Sequence, residues 1–347
     1  MSKKVFVGMS GGVDSSVAAA LMVEKGYDVT GVYMKNWSQD FPGHYCPWKE
    51  DYQDAKRVAT QLGIKFKMYD FETEYRDKVV GYMIDEYKLG LTPNPDIMCN
   101  QEVKFKLFLN AALADGADLI ATGHYSRIVN NQLWMAKDKN KDQSYFLCRI
   151  PKKSLSKVLF PIGDFDKPTI RKMAKDRGLV TASKKDSQGI CFIGKVSIKE
   201  FLSQYVEPKT GMIIDQNGNE IGTHEGALFY TIGQRQGLNV GGGLPYYVVD
   251  KDMNKNIVYV TTNLQDGRLW TDKLRLSKLH FLDELEFKVS NYKVRTRYRA
   301  PLIKINSMES IGETLILELD NEVRAVTPGQ SAVIYLEDQL VGSGIVI

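Results

Sequence analysis

One stretch near the amino end decides the fold: Val5-Phe6-Val7-Gly8-Met9-Ser10-Gly11-Gly12-Val13-Asp14-Ser15-Ser16. It reads as a short apolar strand, a hydroxyl, two glycines, an acid and two more hydroxyls, followed by a helical pattern. Gly11 and Gly12 allow a tight turn that offers backbone N–H groups to an anion. Ser15 and Ser16 add hydroxyl donors, and the following helix points its positive end at the same place. The stretch therefore predicts a phosphate-binding loop, although Gly-Gly turns also join strands to helices without this role.

The loop is not a Walker P-loop, because no Gly-Lys-Ser/Thr follows and no lysine of the motif can reach the outer phosphates. The residues Ser10–Ser16 instead resemble the pyrophosphatase loop of the N-type ATP family. Members of that family cleave ATP between the α and β phosphates and adenylate a substrate. This resemblance implies that ATP is bound here.

Strand and helix patterns alternate along the first third of the chain, with apolar strands predicted at 5–9, 28–34, 64–69 and 118–122. Helices are predicted at 15–25, 51–62, 73–89 and 102–114. Such alternation is typical of an α/β domain with a mostly parallel, Rossmann-like sheet. Ligands of these sheets bind at the carboxyl ends of the strands, where the loop, Met34 and Gly123 would lie.

The pattern changes further along the chain, which at 347 residues is long enough for two or three domains. A hairpin is predicted around Asn130-Asn131, and two basic helical segments at 167–177 and 197–206. Short strands with glycine-rich turns follow from about residue 209, and five or six strands from about 273 indicate a small β-barrel. We expect a catalytic domain at 1–205, a central mostly-β domain at 206–272 and a barrel domain at 273–347.

The charge distribution points to a polyanionic partner, although the net charge is only +4. Residues 151–200 carry a local excess of lysine and arginine, and the alternating cations from Lys293 to Arg299 would share one face of a strand. A charged, solvated face is the alternative for each feature alone. The chain shows neither a signal peptide nor an apolar run of membrane-spanning length, so we predict a cytoplasmic protein without membrane contact.

Cysteine is the candidate nucleophile, because a thiolate is strongly nucleophilic near neutral pH. Cys99 follows Asn94-Pro95-Asp96 and is predicted to precede a helix capped by Asn100, whose dipole would lower the pKa of the thiol. Cys191 lies among apolar residues with lysines nearby, and taken alone it is typical of a core cysteine. Cys148 is predicted to be structural and Cys46 to lie in a surface loop. The chain contains no C-x-x-C, which argues against an iron–sulfur or zinc site.

Two further groups could contact a substrate. His124 follows Gly123 at the ligand edge of the sheet, where a purely structural histidine is the alternative. The run Asp142-Gln143-Ser144-Tyr145 mixes polar and aromatic groups that suit an extruded base.

Together these residues resemble the tRNA-specific 2-thiouridylase family over essentially the whole chain. The motifs that carry the resemblance are Gly8–Ser16, Asn94-Pro95-Asp96 with Cys99-Asn100, Gly123-His124-Tyr125, Asp142–Tyr145, Gly189–Gly194 and Tyr298-Arg299. In that family ATP adenylates the C2 oxygen of the wobble uridine, a cysteine persulfide delivers sulfur to C2, and AMP leaves.

The resemblance implies a role for each matching residue. Cys191 would accept sulfur as a persulfide from a cysteine desulfurase or relay protein, and Cys99 would attack it, leaving a disulfide for a reductant to reopen. Asp14 would help to hold Mg²⁺ and pyrophosphate, and Asp96 would act as a general base. The loop contact to ATP would come from Gly8, Met9, Ser10, Gly11, Gly12, Val13, Asp14 and Ser15, with Met34 and Gly123 beside adenine and ribose. The target base or tRNA would contact Asn94, Pro95, Asp96, His124, Gln143, Ser144, Tyr145, Tyr298, Arg299 and Gln330.

Three alternatives remain open at this point. Another N-type ATP enzyme, such as a GMP synthetase or argininosuccinate synthetase, would need no cysteine pair. A nucleic-acid-binding protein could retain a vestigial nucleotide site. A cytidine thiolase with an iron–sulfur cluster is disfavoured by the missing C-x-x-C.

Overall fold

The computed structural model describes residues 2–40, 45–185, 196–238, 240–241, 243–285 and 291–347. Within them, five strands form a sheet in the order β3-β2-β1-β4-β7, and all neighbours pair in parallel. The strands up to residue 159 are β1 (Lys4–Gly8), β2 (Asp28–Lys35), β3 (Lys65–Asp70), β4 (Leu119–Thr122), β5 (Ser126–Val129), β6 (Gln132–Met135) and β7 (Val158–Leu159). The predicted α/β class with a parallel sheet is confirmed.

Six helices accompany this sheet in the described part of the chain. They are α1 (Val13–Glu24), α2 (Trp48–Gln61), α3 (72–88), α4 (95–114), α5 (Lys167–Asp176) and α6 (Ile198–Leu202). Short 3₁₀ turns lie at Ser144–Leu147, Lys152–Lys157, Ala227–Phe229 and Gly267–Leu269. Two helices contain π-helical stretches, Arg76–Val80 in α3 and Cys99–Phe108 in α4. π-Helical turns are frequent at functional sites, which makes α4 notable.

The sheet is buried on both faces because the side chains of its central strand alternate between two cores. Val5 and Val7 of β1 face the core formed with α1, α2 and α5. Phe6 faces the opposite core, which is formed with α3 and α4. A period of two is what a strand covered by helices on both sides requires. This packing fixes the loop after β1 between the two helical layers.

The central part of the chain forms a second sheet, in the order β10-β11-β8-β9. Its strands are β8 (Gly211–Ile214), β9 (Glu220–His224), β10 (Tyr247–Asp252) and β11 (Ile257–Thr261). β8 and β11 are parallel, and the other two pairings are antiparallel. The predicted mostly-β central region is confirmed.

The last part of the chain forms a closed barrel of six strands. They are β12 (Trp270–Phe281), β13 (Tyr292–Arg295), β14 (Ile303–Ile311), β15 (Thr314–Arg324), β16 (Ser331–Leu336) and β17 (Gln339–Val346). The order β12-β15-β14-β13-β16-β17 closes because β12 also pairs with β17. Closure removes the free strand edges, and inward side chains such as Leu276, Leu317 and Ile334 fill the interior.

A hairpin of the first domain extends the barrel sheet. β5 and β6 turn through Asn130 and Asn131 with φ values of 51° and 63°, as the predicted two-residue hairpin requires. β6 then pairs with β17 through Leu133 and Leu340. The predicted hairpin is confirmed, but nothing in its local sequence indicated this pairing. The domain limits at 205 and 272 stay predictions.

Candidate active site

The loop after β1 is held by its own hydroxyl groups. The Ser10 N–H donates to Ser15 Oγ over 3.2 Å, and the Ser15 hydroxyl donates to the Gly12 carbonyl over 3.0 Å. The Ser16 hydroxyl also donates to the Gly12 carbonyl and accepts from Thr181. Ser16 is fully buried, so its hydroxyl acts within the fold rather than as the anion donor that we predicted. These bonds define a rigid turn at the carboxyl end of β1.

Glycines allow neighbouring segments to reach this loop. A Cβ at Gly11, where φ is +74°, would lie 2.3 Å from the Asp51 carbonyl oxygen in α2. A Cβ at Gly123 would lie 2.6 Å from the Ser15 nitrogen. Gly8 is approached less closely, by the end of the Met34 side chain, whose Cε would lie 3.0 Å from an added Cβ. The residues predicted to surround ATP therefore lie together at one edge of the sheet.

A lysine and a tyrosine that the sequence analysis did not assign reach the same loop. Lys167 Nζ lies 2.7 and 2.8 Å from the two carboxylate oxygens of Asp14. The Tyr125 hydroxyl donates to the same carboxylate over 2.8 Å. Lys167 was counted only in the basic segment 151–200. No local signal could link it to a partner 153 positions earlier in the chain.

The predicted Mg²⁺ ligand is Asp14. Mg²⁺ prefers oxygen ligands and commonly keeps waters and phosphate oxygens beside one or two carboxylates. Both oxygens of Asp14 already bind Lys167, and the described residues contain no cluster of three acidic, histidine or cysteine side chains. Asp14 alone therefore fits only a Mg²⁺ that arrives with phosphates, and its role stays a prediction.

Asn94-Pro95-Asp96 begins α4, so the predicted helix start at residue 102 is wrong. The Asn94 side chain caps the helix, because its Oδ1 accepts the N–H groups of Asp96 and Ile97 over 3.1 and 3.2 Å. Pro95 occupies the first turn, where its missing N–H costs nothing. The predicted cap at Asn100 is also wrong, since Asn100 lies inside the helix and donates to the Phe146 carbonyl. We missed the Asn-Pro start signal because the apolar periodicity begins later.

Cys99 lies in the second turn of α4 and is fully buried. The prediction that Cys99 precedes the helix is therefore wrong, because the residue lies inside α4. Cys191 falls at 186–195, outside the described residues. Next to that range, a cavity of about 400 Å³ is lined by Pro93–Asp96 and by Val196–Ile198. Three of the residues predicted to contact the base, Asn94, Pro95 and Asp96, thus line one cavity with residues 196–198.

The other two described cysteines lie in the core. Burial raises the pKa of the Cys148 thiol to about 11, which agrees with its predicted structural role. Cys46 is also buried, and its thiol lies 3.7 Å from the Trp37 carbonyl oxygen. The predicted surface position of Cys46 is therefore wrong, because the aromatic core beneath the loop covers it.

His124 connects the loop to α4. Its Nδ1 lies 2.8 Å from Thr122 Oγ1, and its Nε2 lies 3.4 Å from Lys104 Nζ. Burial, reinforced by the Lys104 charge, holds the pKa of the imidazole well below its usual value. Because an ammonium group can only donate, Nε2 accepts and Nδ1 carries the proton. His124 is thus a neutral, buried residue that connects the end of β4 to α4, the helix that carries Cys99.

The run Gln143–Tyr145 lies beneath the barrel. The Ser144 hydroxyl lies within hydrogen-bond distance of Asp142 and Tyr335, and the Tyr145 hydroxyl donates to the Ser331 carbonyl over 2.9 Å. Both side chains are fully buried, so in this structure neither one is accessible to an RNA base. The Gln143 side chain accepts the Tyr125 N–H. Their contact with tRNA stays a prediction.

Tyr298, Arg299 and Gln330 bring the barrel to α4. The ring of Tyr298 lies 4.4 Å from that of Phe146, whose carbonyl accepts from Asn100, and the exposed Arg299 lies over Tyr298. Gln330 donates to the Thr92 carbonyl over 2.6 Å, two residues before Asn94. The barrel residues predicted to contact tRNA therefore lie beside the start of α4.

The predicted cationic strand face is wrong. β13 ends at Arg295, so the alternation of the strand does not extend to Arg297 or Arg299. Arg295 is buried and bonds to Asp142 over 3.2 Å, and Arg297 donates to the Ala325 carbonyl over 2.6 Å. The exposed lysines among the described residues of the basic segment are Lys152, Lys153, Lys157, Lys172, Lys175, Lys185 and Lys199.

The fold and site define an α/β protein with a glycine-rich loop at the carboxyl edge of a parallel sheet, joined to two β domains. Sequence models of three domains match in this order: "tRNA methyl transferase HUP domain" at 3–195, "tRNA methyl transferase PRC-barrel domain" at 199–262 and "Aminomethyltransferase beta-barrel domain" at 271–346. The curated relatives are similar over almost the whole chain. The chain belongs to the tRNA-specific 2-thiouridylase family and is a tRNA sulfurtransferase that forms 2-thiouridine.

Three relatives illustrate the match. tRNA-specific 2-thiouridylase MnmA 1 of Geobacillus kaustophilus (strain HTA426) is 47% identical over 352 residues, which cover 99% of this chain and 95% of the relative. MnmA of Staphylococcus saprophyticus (strain ATCC 15305) is 46% identical, and that of Bacillus subtilis (strain 168) is 45% identical, each covering 98% of this chain and 94% of the relative. This membership excludes the three alternatives left open by the sequence: another N-type ATP enzyme, a nucleic-acid-binding protein with a vestigial nucleotide site, and a cytidine thiolase.

Among solved structures, a 4-thiouridine synthetase–RNA complex with bound ATP is 19% identical, with a TM-score of 0.36 over 58% of this chain and 50% of that chain. A likeness this distant carries no argument here. Within the described ranges, none of the helices is long and apolar enough to cross a membrane.

Proposed function

We propose that this chain uses ATP to adenylate O2 of the wobble uridine in tRNA and then replaces that oxygen with persulfide sulfur. One contact carries the proposal: Lys104 of α4 lies 3.4 Å from His124, next to Gly123, which touches the loop. Cys99 lies five residues before Lys104 in the same helix, at most roughly 8 Å away along the helix axis. An adenylate formed at the loop would thus lie near a nucleophilic sulfur.

The first step activates O2. This oxygen attacks the α-phosphorus, the bond to the β-phosphate oxygen breaks, and pyrophosphate leaves. N3 of the base gives up its proton, and Asp96, which lines the cavity, is the proposed acceptor. The loop N–H groups and the positive end of α1 would stabilise the charge that develops on the phosphates.

Sulfur transfer then uses both cysteines. The Cys99 thiolate attacks the inner sulfur of a Cys191 persulfide, which forms a Cys99–Cys191 disulfide and releases the terminal sulfur as hydrosulfide. Hydrosulfide adds to C2, AMP leaves with the former O2, and the sulfhydryl proton ends on N3. An external thiol reduces the disulfide, and a cysteine desulfurase or relay protein reloads Cys191. Because Cys99 is buried here, tRNA binding must uncover its thiol.

The test is mass analysis of nucleosides from tRNA incubated with the protein, ATP, Mg²⁺ and a persulfide donor. We expect 2-thiouridine from the wild type and none from Cys99→Ser or Cys191→Ser. Cys191→Ser cannot form the persulfide, and Cys99→Ser lacks the thiolate that attacks it. Cys148→Ala is the matched control, since it changes a buried cysteine outside the site and should keep activity.

Two outcomes would contradict the mechanism. One is wild-type yield from Cys99→Ser, and the other is 2-thiouridine formed without ATP. Release of pyrophosphate that requires tRNA would link the adenylation step to the base.

A further inference from the structure

Lys167 is the cation that the structure places on the phosphate loop. Its ammonium group binds both carboxylate oxygens of Asp14, which lies in the first turn of α1. The Lys167 side chain is 11% exposed and that of Asp14 is 29% exposed, so the pair lies in a partly buried position rather than on open surface. Ion pairs held in such positions are screened less by salt than exposed ones.

The backbone of Lys167 is fixed from two directions. It is the first residue of α5, and the helix is capped by the Asp166 side chain, which accepts the Thr169 N–H over 2.8 Å. The Lys167 N–H donates to Asp138 Oδ2 over 3.1 Å. The side chain also passes the Tyr125 ring, with Nζ 5.8 Å from the ring centre. These contacts hold Lys167 within reach of the loop.

We propose that Lys167 binds the β- and γ-phosphates of ATP, leaving Asp14 when the nucleotide enters. Lysine is a common ligand of phosphate as a compact positive charge. The loop itself supplies no lysine, and the Asp14 carboxylate would repel a polyphosphate unless a cation offset its charge. The Lys167–Asp14 ion pair thus holds a cation at the position where the pyrophosphate part of ATP would lie. This inference rests on the proposed use of ATP.

Titration calorimetry on the full chain tests the proposal with three ligands: ATP with Mg²⁺, pyrophosphate with Mg²⁺, and AMP. Lys167→Met should weaken binding of ATP and pyrophosphate by about 10- to 100-fold, as expected for loss of a charged hydrogen bond. AMP lacks the β- and γ-phosphates, so its affinity should change less than about threefold. Lys172→Met on the same helix is the matched control, because Lys172 is exposed and pairs only with Asp176 among the ion pairs of the described residues.

Lys167→Arg keeps the charge and should retain most of the ATP affinity, which separates loss of charge from loss of fold. The proposal is overturned if Lys167→Met binds ATP and pyrophosphate as tightly as the wild type. It is also overturned if the variant loses affinity for AMP and ATP equally, because that pattern indicates a damaged loop. A wild type that binds no ATP would instead refute the proposed function.

Discussion

Gly11→Ala should destabilise the protein, whereas Gly12→Ala should not. The two glycines are adjacent in the phosphate loop and look equivalent in the sequence. In the structure Gly11 has a φ of +74° and faces the backbone of α2, whereas Gly12 has a φ of −93° and only Ser10 Oγ lies near its added Cβ, at 3.5 Å. The pair therefore separates the effect of loop geometry from that of glycine content.

The size of the effect follows from two contributions. A left-handed backbone costs an L-residue about 1–2 kcal/mol. The new Cβ would also lie 2.3 Å from the Asp51 carbonyl oxygen, so α2 must shift by roughly 1 Å to restore ordinary contact. That shift strains the bond from Lys184 to the Asp51 carboxylate, and overpacking of this kind costs about 1–3 kcal/mol. We expect a loss of about 2–5 kcal/mol for Gly11→Ala.

Thermal unfolding of the nucleotide-free protein, followed by circular dichroism, measures this difference. Gly11→Ala should lower the melting temperature of the α/β domain by about 4–20 °C, given about 2–4 °C per kcal/mol for a domain of this size. Gly12→Ala should stay within about 2 °C of the wild type, because alanine adopts the extended backbone conformation of Gly12 without strain. Equal melting temperatures for the two variants would refute the assigned loop geometry.

Three further predictions concern charge. Asp142→Asn leaves the Arg295 guanidinium buried without its anion and should cost about 3–5 kcal/mol of stability. The double variant Asp142→Asn/Arg295→Met should recover part of this loss in melting curves. No recovery would contradict the energetic coupling of the two side chains. Burial lowers the pKa of His124, His224 and His280, so the unfolded chain takes up protons before the folded one as the pH falls. The free energy of unfolding, measured in urea, should therefore fall below about pH 6.5 by up to about 1.4 kcal/mol per pH unit for each histidine. A stability that does not change with pH in this range would contradict the prediction. Arg299→Met should weaken tRNA binding but not ATP binding, and wild-type tRNA affinity should fall steeply with salt in filter-binding assays; an unchanged affinity would remove Arg299 from the site.

Local signals predicted the elements that local chemistry controls. The strand–loop–helix at residues 4–24 followed from an apolar run, two glycines and a helical pattern. The hairpin followed from Asn130-Asn131, because asparagine tolerates positive φ at both turn positions. A small barrel of five or six strands followed from the short strand patterns after residue 273, and the structure has six. The strand–loop–helix and the hairpin depend on neighbours in sequence, whereas closure of the barrel also needs the pairing of β12 with β17.

The errors arose where a local pattern had more than one structural solution. The alternation from Lys293 to Arg299 suggested one exposed cationic face, but the strand ended at Arg295 and two arginines turned inward to bind oxygens. The start of α4 was placed seven residues late, because Asn94 and Pro95 signal a helix without any apolar periodicity. Burial of Ser144 and Tyr145 depends on the barrel that covers them.

The sequence by itself determined the strand, glycine-rich loop and helix at the amino end, the α/β class and the family resemblance, since backbone conformation and residue order are encoded within short windows. Only the tertiary structure decided that Lys167 binds Asp14 and that β6 joins β17. Both contacts link residues more than 150 positions apart, and any of several lysines or strand edges could have served. The packing of the sheet, α5 and the barrel decides which lysine and which strand edge make these contacts. Burial of the apolar faces of these elements fixes the positions of the side chains and edges that they carry.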